Sequence, residues 1–307
     1  MNEKERMKKL IKIINDAAEV YYNTGEEKMP NIEYDKLYDE LEALEKSSGI
    51  ILSDSPTQHA GTDVKNNIAK ITHEYPALSL AKTKDISLFP KTFAVRDNKA
   101  IVMWKEDGGT LVATYDNGKL SSLATRGNGI VGQDITQNAK YIHGLPLGLP
   151  FKTHFVVRGE ALMSYKEFER VNNALPSDVE PYKNPRNLAN STVSLDAEKE
   201  LEHREIWFHA FKLVYNESDY TVTRPRTFYG DMEFLKSLGF ETTEHVLCDV
   251  SDIESVIREM SDRVSKYAFP VDGLVVAAND VEYAEAQPGT GKNPNRLVGF
   301  ALKCQDE

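Results

Sequence analysis

The spacing of apolar residues changes character once along this chain, and that change limits the folds open to it. Between residues 3 and 23, Met7, Leu10, Ile11, Ile14, Ala17, Ala18 and Tyr21 recur at helical spacing, the pattern of a helix with one buried face. Gly25 follows as a stop. Asn31, after Pro30, is placed to cap a second helix that carries Tyr34, Leu37, Tyr38, Leu41 and Leu44 and ends near Gly49. Two such helices make a hairpin. Residues 53–67 are polar, contain Pro56 and Gly61, and read as a connector. Beyond them the period shortens to that of strands. Thr110 to Tyr115 and Lys119 to Thr125 flank Asp116-Asn117-Gly118, a strong hairpin signal. Ile101 to Trp104, Phe155 to Met163, Ile206 to Tyr215, Gly273 to Ala278 and Leu297 to Lys303 read as further strands. Helical patterns fall between them at Ser164 to Leu175, Phe228 to Leu238 and Ser251 to Tyr267. Strands paired by hairpins with helices interspersed predict an α+β domain rather than a repeating βαβ array. The expected division is a helical module over residues 1–68 and a mixed domain over 69–307.

Composition narrows the function. The 307 residues include 48 acidic and 37 basic side chains, a net charge of −11, so the chain as a whole is not a strong non-specific nucleic-acid binder. Cys248 and Cys304 are the two cysteines, far apart and without partner histidines at metal-ligand spacing, which excludes a cysteine-rich zinc site and argues against a disulfide framework. The charged first twenty residues hold no signal-peptide core, and no apolar run reaches membrane-spanning length. The predicted setting is soluble, reducing and cytoplasmic, with no membrane partner.

Within this frame Lys105 is oddly placed. It ends the apolar run Val102-Met103-Trp104 and stands just ahead of a Gly-Gly turn. A partly desolvated lysine gives up its proton more readily, and a neutral amine is a nucleophile. Other segments carry similar hints. Thr125-Arg126-Gly127-Asn128-Gly129 ends a strand in a glycine-rich turn with a phosphate-binding arginine. Arg158-Gly159-Glu160 sets a charged pair inside an apolar strand, where charge is costly unless paired or used. Lys183-Asn184-Pro185-Arg186-Asn187 reads as a rigid polar loop able to present Arg186 to a phosphate. Val271-Asp272-Gly273-Leu274-Val275-Val276 and Phe300-Ala301-Leu302-Lys303 close the set, the latter placing a second lysine at a strand end. Taken singly, each also reads as an ordinary turn, surface ion pair or strand terminus.

Their order is distinctive. The chain runs K-x-D-G, T-R-G-x-G, R-G-E, N-P-R-N, D-G-apolar and apolar-Lys. That ordered set resembles the adenylation region of bacterial NAD-dependent DNA ligases, over nearly the whole length. Met29-Pro30-Asn31-Ile32-Glu33-Tyr34-Asp35, Ser53-Asp54-Ser55-Pro56-Thr57-Gln58 and the segment from His73 to Leu80 extend the likeness toward the start. The resemblance implies a helical hairpin followed by a nucleotidyltransferase (ATP-grasp-like ligase) domain of mixed antiparallel sheets and helices. It implies that Lys105 attacks the α-phosphate of NAD, releasing nicotinamide mononucleotide and leaving lysyl-AMP. It assigns Asp107 to site geometry and Lys303 to the α-phosphate. It assigns Ser79, Leu80, Arg126 and Arg186 to the nucleotide, Glu160 to the ribose and Phe211 to stacking on adenine. Tyr21, Tyr34 and Asp35 match residues that grip the nicotinamide mononucleotide half. It further implies Mg²⁺, a nicked DNA substrate engaged in repair and replication through further domains, and a monomer.

The likeness is broken at several positions. The family's glutamate two residues before the nucleophile is Met103 here, and the lysine closing its D-G-V-V-x-K strand is Ala277. Tyr22, Asn31 and Asn128 stand where the family has histidine, aspartate and aspartate. These changes leave open an altered donor preference, slow transfer or none. The alternatives are a nucleotide-binding or scaffolding homologue that has lost transfer, and a lysyl-AMP ligase using ATP. Family members continue into an oligonucleotide-binding domain, a zinc module and helix-hairpin-helix repeats, so the sequence is expected to be an excised adenylation region or a naturally short protein.

Overall fold

A computed structural model describes residues 3–24, 28–48, 50, 52, 55–57, 69–150, 152–194, 201–216, 226–290 and 293–303. The chain divides into two compact units, residues 1–79 with 125–134, and residues 80–124 with 135–307.

The first unit begins with the two expected helices, α1 (Glu3–Thr24) and α2 (Asn31–Ser48). Met7, Leu10, Ile11 and Ile14 of α1 pack on Leu41 of α2, with Tyr34, Leu37, Tyr38 and Leu44 closing the edge. Arg6 adds a forked ion pair to Glu40 at 2.7 and 2.6 Å. Asn31 is not the cap that the sequence suggests. The Pro30 carbonyl already accepts from the amides of Glu33 and Tyr34, so Asn31 is the first helical residue. Gly25 and most of the connector lie outside the described residues. The described part of the connector is tied down by Glu45, whose buried carboxylate accepts from the hydroxyls of Ser55 and Thr57, both at 2.5 Å. A two-stranded ladder completes the unit, β1 (Lys70–Thr72) against β6 (Val131–Gln133).

The second unit holds two five-stranded sheets. One runs β10 (His245–Asp249), β3 (Lys99–Glu106), β11 (Val271–Ala278), β12 (Phe300–Lys303), β2 (Ala81–Thr83). The other runs β5 (Lys119–Thr125), β4 (Gly109–Asp116), β8 (Phe155–Leu162), β9 (Ile206–Asn216), β7 (Ile142–His143). Most pairings are antiparallel, which the hairpin pattern foretells. At the tip of the β4–β5 hairpin, Asn117 and Gly118 both have positive φ, 51° and 75°, as a two-residue hairpin turn requires. Ile101, Met103, Val275 and Ala277 from the first sheet share one apolar core with Leu111, Ala113, Phe155, Val157, Phe208 and Ala210 from the second. The other face of the first sheet, Ala100, Val102, Trp104, Leu274 and Val276, packs under α3 (Leu88–Phe93) and the helix Ile253–Arg263.

Several element boundaries differ from the sequence expectation. The last strand starts at Phe300, not Leu297. The helix expected over Ser251 to Tyr267 is regular only from Ile253 to Arg263, with single 3-10 turns on either side. The segment 183–187 is a loop only as far as Asn184 and turns helical at Pro185. Asn184 caps a helix, α4 (Pro185–Val193), its side chain accepting from the Asn187 amide at 2.8 Å, and Pro185 occupies the first turn, where its missing N–H costs nothing. Among the described residues no helix is long and apolar enough to cross a membrane.

Candidate active site

Lys105 sits near the end of β3, where the chain leaves the first sheet for the second. Its partner is set by an irregularity in β11. Glu106 lies opposite Val271, and Lys105 lies opposite Gly273, so Asp272 is an extra residue with no opposite number. Bulges of this kind re-aim a side chain. Gly273 takes a φ of 139°, open to glycine and not to other residues. The result is an ion pair between Lys105 Nζ and Asp272 Oδ2. The Lys105 side chain is 26% exposed, enough to be reached and little enough to feel its neighbours. Burial raises the Asp272 carboxyl's affinity for a proton, but Lys105, with Lys303 and Lys82 behind it, outweighs that and holds it below the usual carboxylate range.

The turn after Lys105 is braced by two acids. Asp107 accepts from Arg186 Nη1 at 2.5 Å, an ion pair brought in from the first turn of α4. Glu160 lies opposite Thr110 across the β4–β8 ladder, accepts from its hydroxyl at 2.9 Å and takes the Gly108 amide at 3.2 Å. Burial drives the Glu160 carboxyl up to about 7, against the pull of Arg186, the Thr110 hydroxyl and Lys105, with Asp107 reinforcing the rise. The turn has no room for a larger residue at Gly108, since a Cβ there would lie 2.0 Å from the Ala161 carbonyl oxygen.

The structure thus brings Lys105, Asp107, Glu160 and Arg186 into one cluster. Lys303 lies two strands from Lys105 in the same sheet, opposite Gly273 on the far side of β11. Phe211 owes its position to a second bulge. Arg158 faces Lys212 and Gly159 faces Ala210, which leaves Phe211 as the extra residue of β9, partly buried against the inter-sheet core. Leu80 also packs on that core. In the other unit Arg126 donates to the Ser79 hydroxyl at 3.4 Å, and its carbonyl meets the His73 ring at 3.0 Å. Tyr34 stacks on Tyr38 with ring centroids 6.1 Å apart, and Asp35 follows it on α2. The side chain of Tyr21 lies outside the described residues.

Two features were not among the expected site residues. Asp272 belongs to the D-G motif that the sequence displays, but only the bulge turns it toward Lys105. Met103 and Ala277 are the other. They occupy the same face of the sheet as Lys105, one pair along from each other, Met103 opposite Val275 and Ala277 opposite Ile101. Both are buried, 5% and 0% exposed. Neither leaves an unpaired charge in the core.

The family model of the NAD-dependent DNA ligase adenylation domain matches residues 65–304, and that of the DNA ligase-like, N-terminal NAD+-binding domain matches residues 1–61. A DNA ligase of Ruminiclostridium cellulolyticum is 38% identical over 301 residues, 98% of this chain and 45% of that protein. A DNA ligase of Lachnoclostridium phytofermentans is 38% identical over 306 residues, 99% of this chain and 46% of that protein. Among solved structures, a mycobacterial DNA ligase D complexed with ATP and MES aligns with a TM-score of 0.40 at 14% identity, covering 74% of this chain and 60% of the other. The chain spans about half the length of the curated relatives it matches. With the adenylation-domain model matching residues 65–304 and the N-terminal model residues 1–61, this chain belongs to the NAD-dependent DNA ligase adenylation family.

Proposed function

We propose that this chain carries out the self-adenylation step of NAD-dependent DNA ligation. The Lys105 amine attacks the α-phosphorus of NAD. A phosphorus–nitrogen bond forms, the bond from phosphorus to the bridging oxygen breaks, and that oxygen leaves with the electron pair as the phosphate of nicotinamide mononucleotide. The observation that carries this reading is the Lys105–Asp272 pair set beside Asp107, Arg186 and Glu160. Asp272 orients the amine and stands ready to receive the proton that it sheds. Arg186 and Lys303 supply positive charge where the phosphate charge develops. Glu160 offers an acceptor for a ribose hydroxyl, and Phe211 a face for the base. Ser79, Leu80 and Arg126 complete the nucleotide contacts, and Tyr21, Tyr34 and Asp35 in the 1–68 module hold the nicotinamide half.

The carboxylate oxygens of Asp107, Asp272 and Glu160 are the ligand type a Mg²⁺ ion prefers, but each already holds a cation or a donor. They suit an ion that arrives on the donor's phosphates, where it would offset phosphate charge, better than one caged by protein alone. The wider setting we propose is a cytoplasmic monomer that, joined to further domains, serves nick sealing in DNA repair and replication.

The test is intact-mass analysis after incubation with NAD and Mg²⁺. A gain of one adenylate, absent in Lys105→Ala, is expected. An adduct formed from ATP and not from NAD would contradict the donor assignment, and no adduct with either would contradict the reaction.

A further inference from the structure

Next to Lys105 lies a buried acid that the proposed reaction does not use. Glu106 points to the opposite side of β3 from Lys105 and is 8% exposed. Its two oxygens face three donors. Oε1 meets His209 Nδ1 at 2.7 Å and accepts from the Tyr267 hydroxyl at 2.5 Å, and Oε2 accepts from the Thr243 hydroxyl at 2.8 Å. These partners come from three separate stretches: His209 from β9, Thr243 from the approach to β10, and Tyr267 from the approach to β11. Aromatic rings close the knot, Tyr267 on Trp104 at 5.2 Å and Phe269 edge-on to His209 at 4.7 Å. Burial first, and Glu106 second, raise the Tyr267 phenol's hold on its proton, so it remains a donor.

Packing alone does not call for this arrangement, because an apolar side chain of similar size fills such a site without the desolvation of a carboxylate. A fully satisfied polar knot instead selects one geometry. What it fixes here can be read from the register. Glu106 lies opposite Val271, and the next step along β11 is the bulge that carries Asp272. Tyr267 heads the segment leading into that bulge, and the Asp107 amide closes on the Pro270 carbonyl at 2.8 Å. The knot therefore grips both strands just beyond the Lys105–Asp272 pair.

We propose that Glu106, held by His209, Tyr267 and Thr243, is a positioning residue for the Lys105 amine, fixing the bulge that sets Asp272 against it. This rests on the adenylation reading above.

The experiment is single-turnover adenylation by the full chain over a range of NAD concentrations, with thermal melts, for wild type, Glu106→Ala, Glu106→Gln, Tyr267→Phe and the distant core variant Leu235→Ala. Glu106→Ala is expected to lower the maximal rate about tenfold or more while the half-saturating NAD concentration moves less than about twofold. Glu106→Gln keeps an acceptor oxygen for His209 and Tyr267 and is expected to recover most of that rate. Leu235→Ala is expected to melt earlier and react at the wild-type rate well below its melting temperature. A maximal rate in Glu106→Ala equal to wild type, or a loss that merely tracks melting temperature across Glu106→Ala and Leu235→Ala, overturns the inference. Should Glu106→Ala fail to fold, Tyr267→Phe decides: a slowed maximal rate supports the role and an unchanged one overturns it. A wild-type chain that forms no adduct removes the adenylation reading and this inference together. Adduct at equal rates in wild type and the knot variants removes this inference alone.

Discussion

Asp272 reaches Lys105 because it is the extra residue of a bulge, inserted between the partners of Glu106 and Lys105. An acid at either neighbouring position would lie opposite β3 in the ordinary ladder. Replacing Asp272 with Asn keeps the shape and removes the charge that orients the amine. The rate of lysyl-AMP formation is expected to fall by roughly ten- to a hundredfold, measured by rapid quench and intact mass. An unchanged rate would remove Asp272 from the site.

Gly273 makes that bulge possible, at a φ of 139°. Gly273→Ala is expected to destabilise the fold by about 1–3 kcal/mol in denaturant titration, since the substitution meets a strained backbone whatever space surrounds it. It should slow adenylation further than its stability loss explains, because the strain falls on the residue beside Asp272.

Arg186 reaches Asp107 from a helix whose start is specified by Asn184 and Pro185. Asn184→Ala should cost about 1 kcal/mol of stability through the lost cap. Arg186→Lys keeps the charge but not the planar fork, and is expected not to restore the activity lost in Arg186→Ala. Recovery in the lysine variant would show that charge alone suffices.

Glu160 supplies a test in pH. Burial lifts its carboxyl from 4.5 in the unfolded reference to about 7 in the fold. The folded chain therefore holds this proton more tightly than the unfolded one. The stabilising share of Glu160 is fully present below the unfolded value and is lost as pH rises through the folded value. Glu160→Gln carries no such titration. Its melting temperature relative to wild type is expected to rise between about pH 5 and about pH 8. A difference that stays flat over that range would mean that the carboxyl titrates normally.

The reach of the sequence ends where pairing begins. Lys105 is legible because it ends an apolar run just ahead of a Gly-Gly turn, and α1 because Met7, Leu10, Ile11 and Ile14 keep a helical period that the fold buries on one face. The Asn117-Gly118 turn is legible because few residue pairs accept two positive φ angles. The pairing of Asp272 with Lys105 and the bulge at Phe211 are not legible, because a bulge is a relation between two strands and leaves no mark on the period of either one. The polar residues that dominate 183–187 read as a loop and hide the helix that starts at Pro185, although an Asn cap followed by Pro is a helix-start signal. Strands as short as β7, with two residues, or β1, β2 and β6, with three each, are too brief for any period to emerge.

The most direct test of the central claim is to locate the adduct. The chain is incubated with NAD and Mg²⁺, digested, and the modified peptide sequenced by tandem mass spectrometry. The expected result is one adenylate on the Lys105 side chain, lost in Lys105→Ala. An adenylate on another residue, or one that persists in Lys105→Ala, would contradict it.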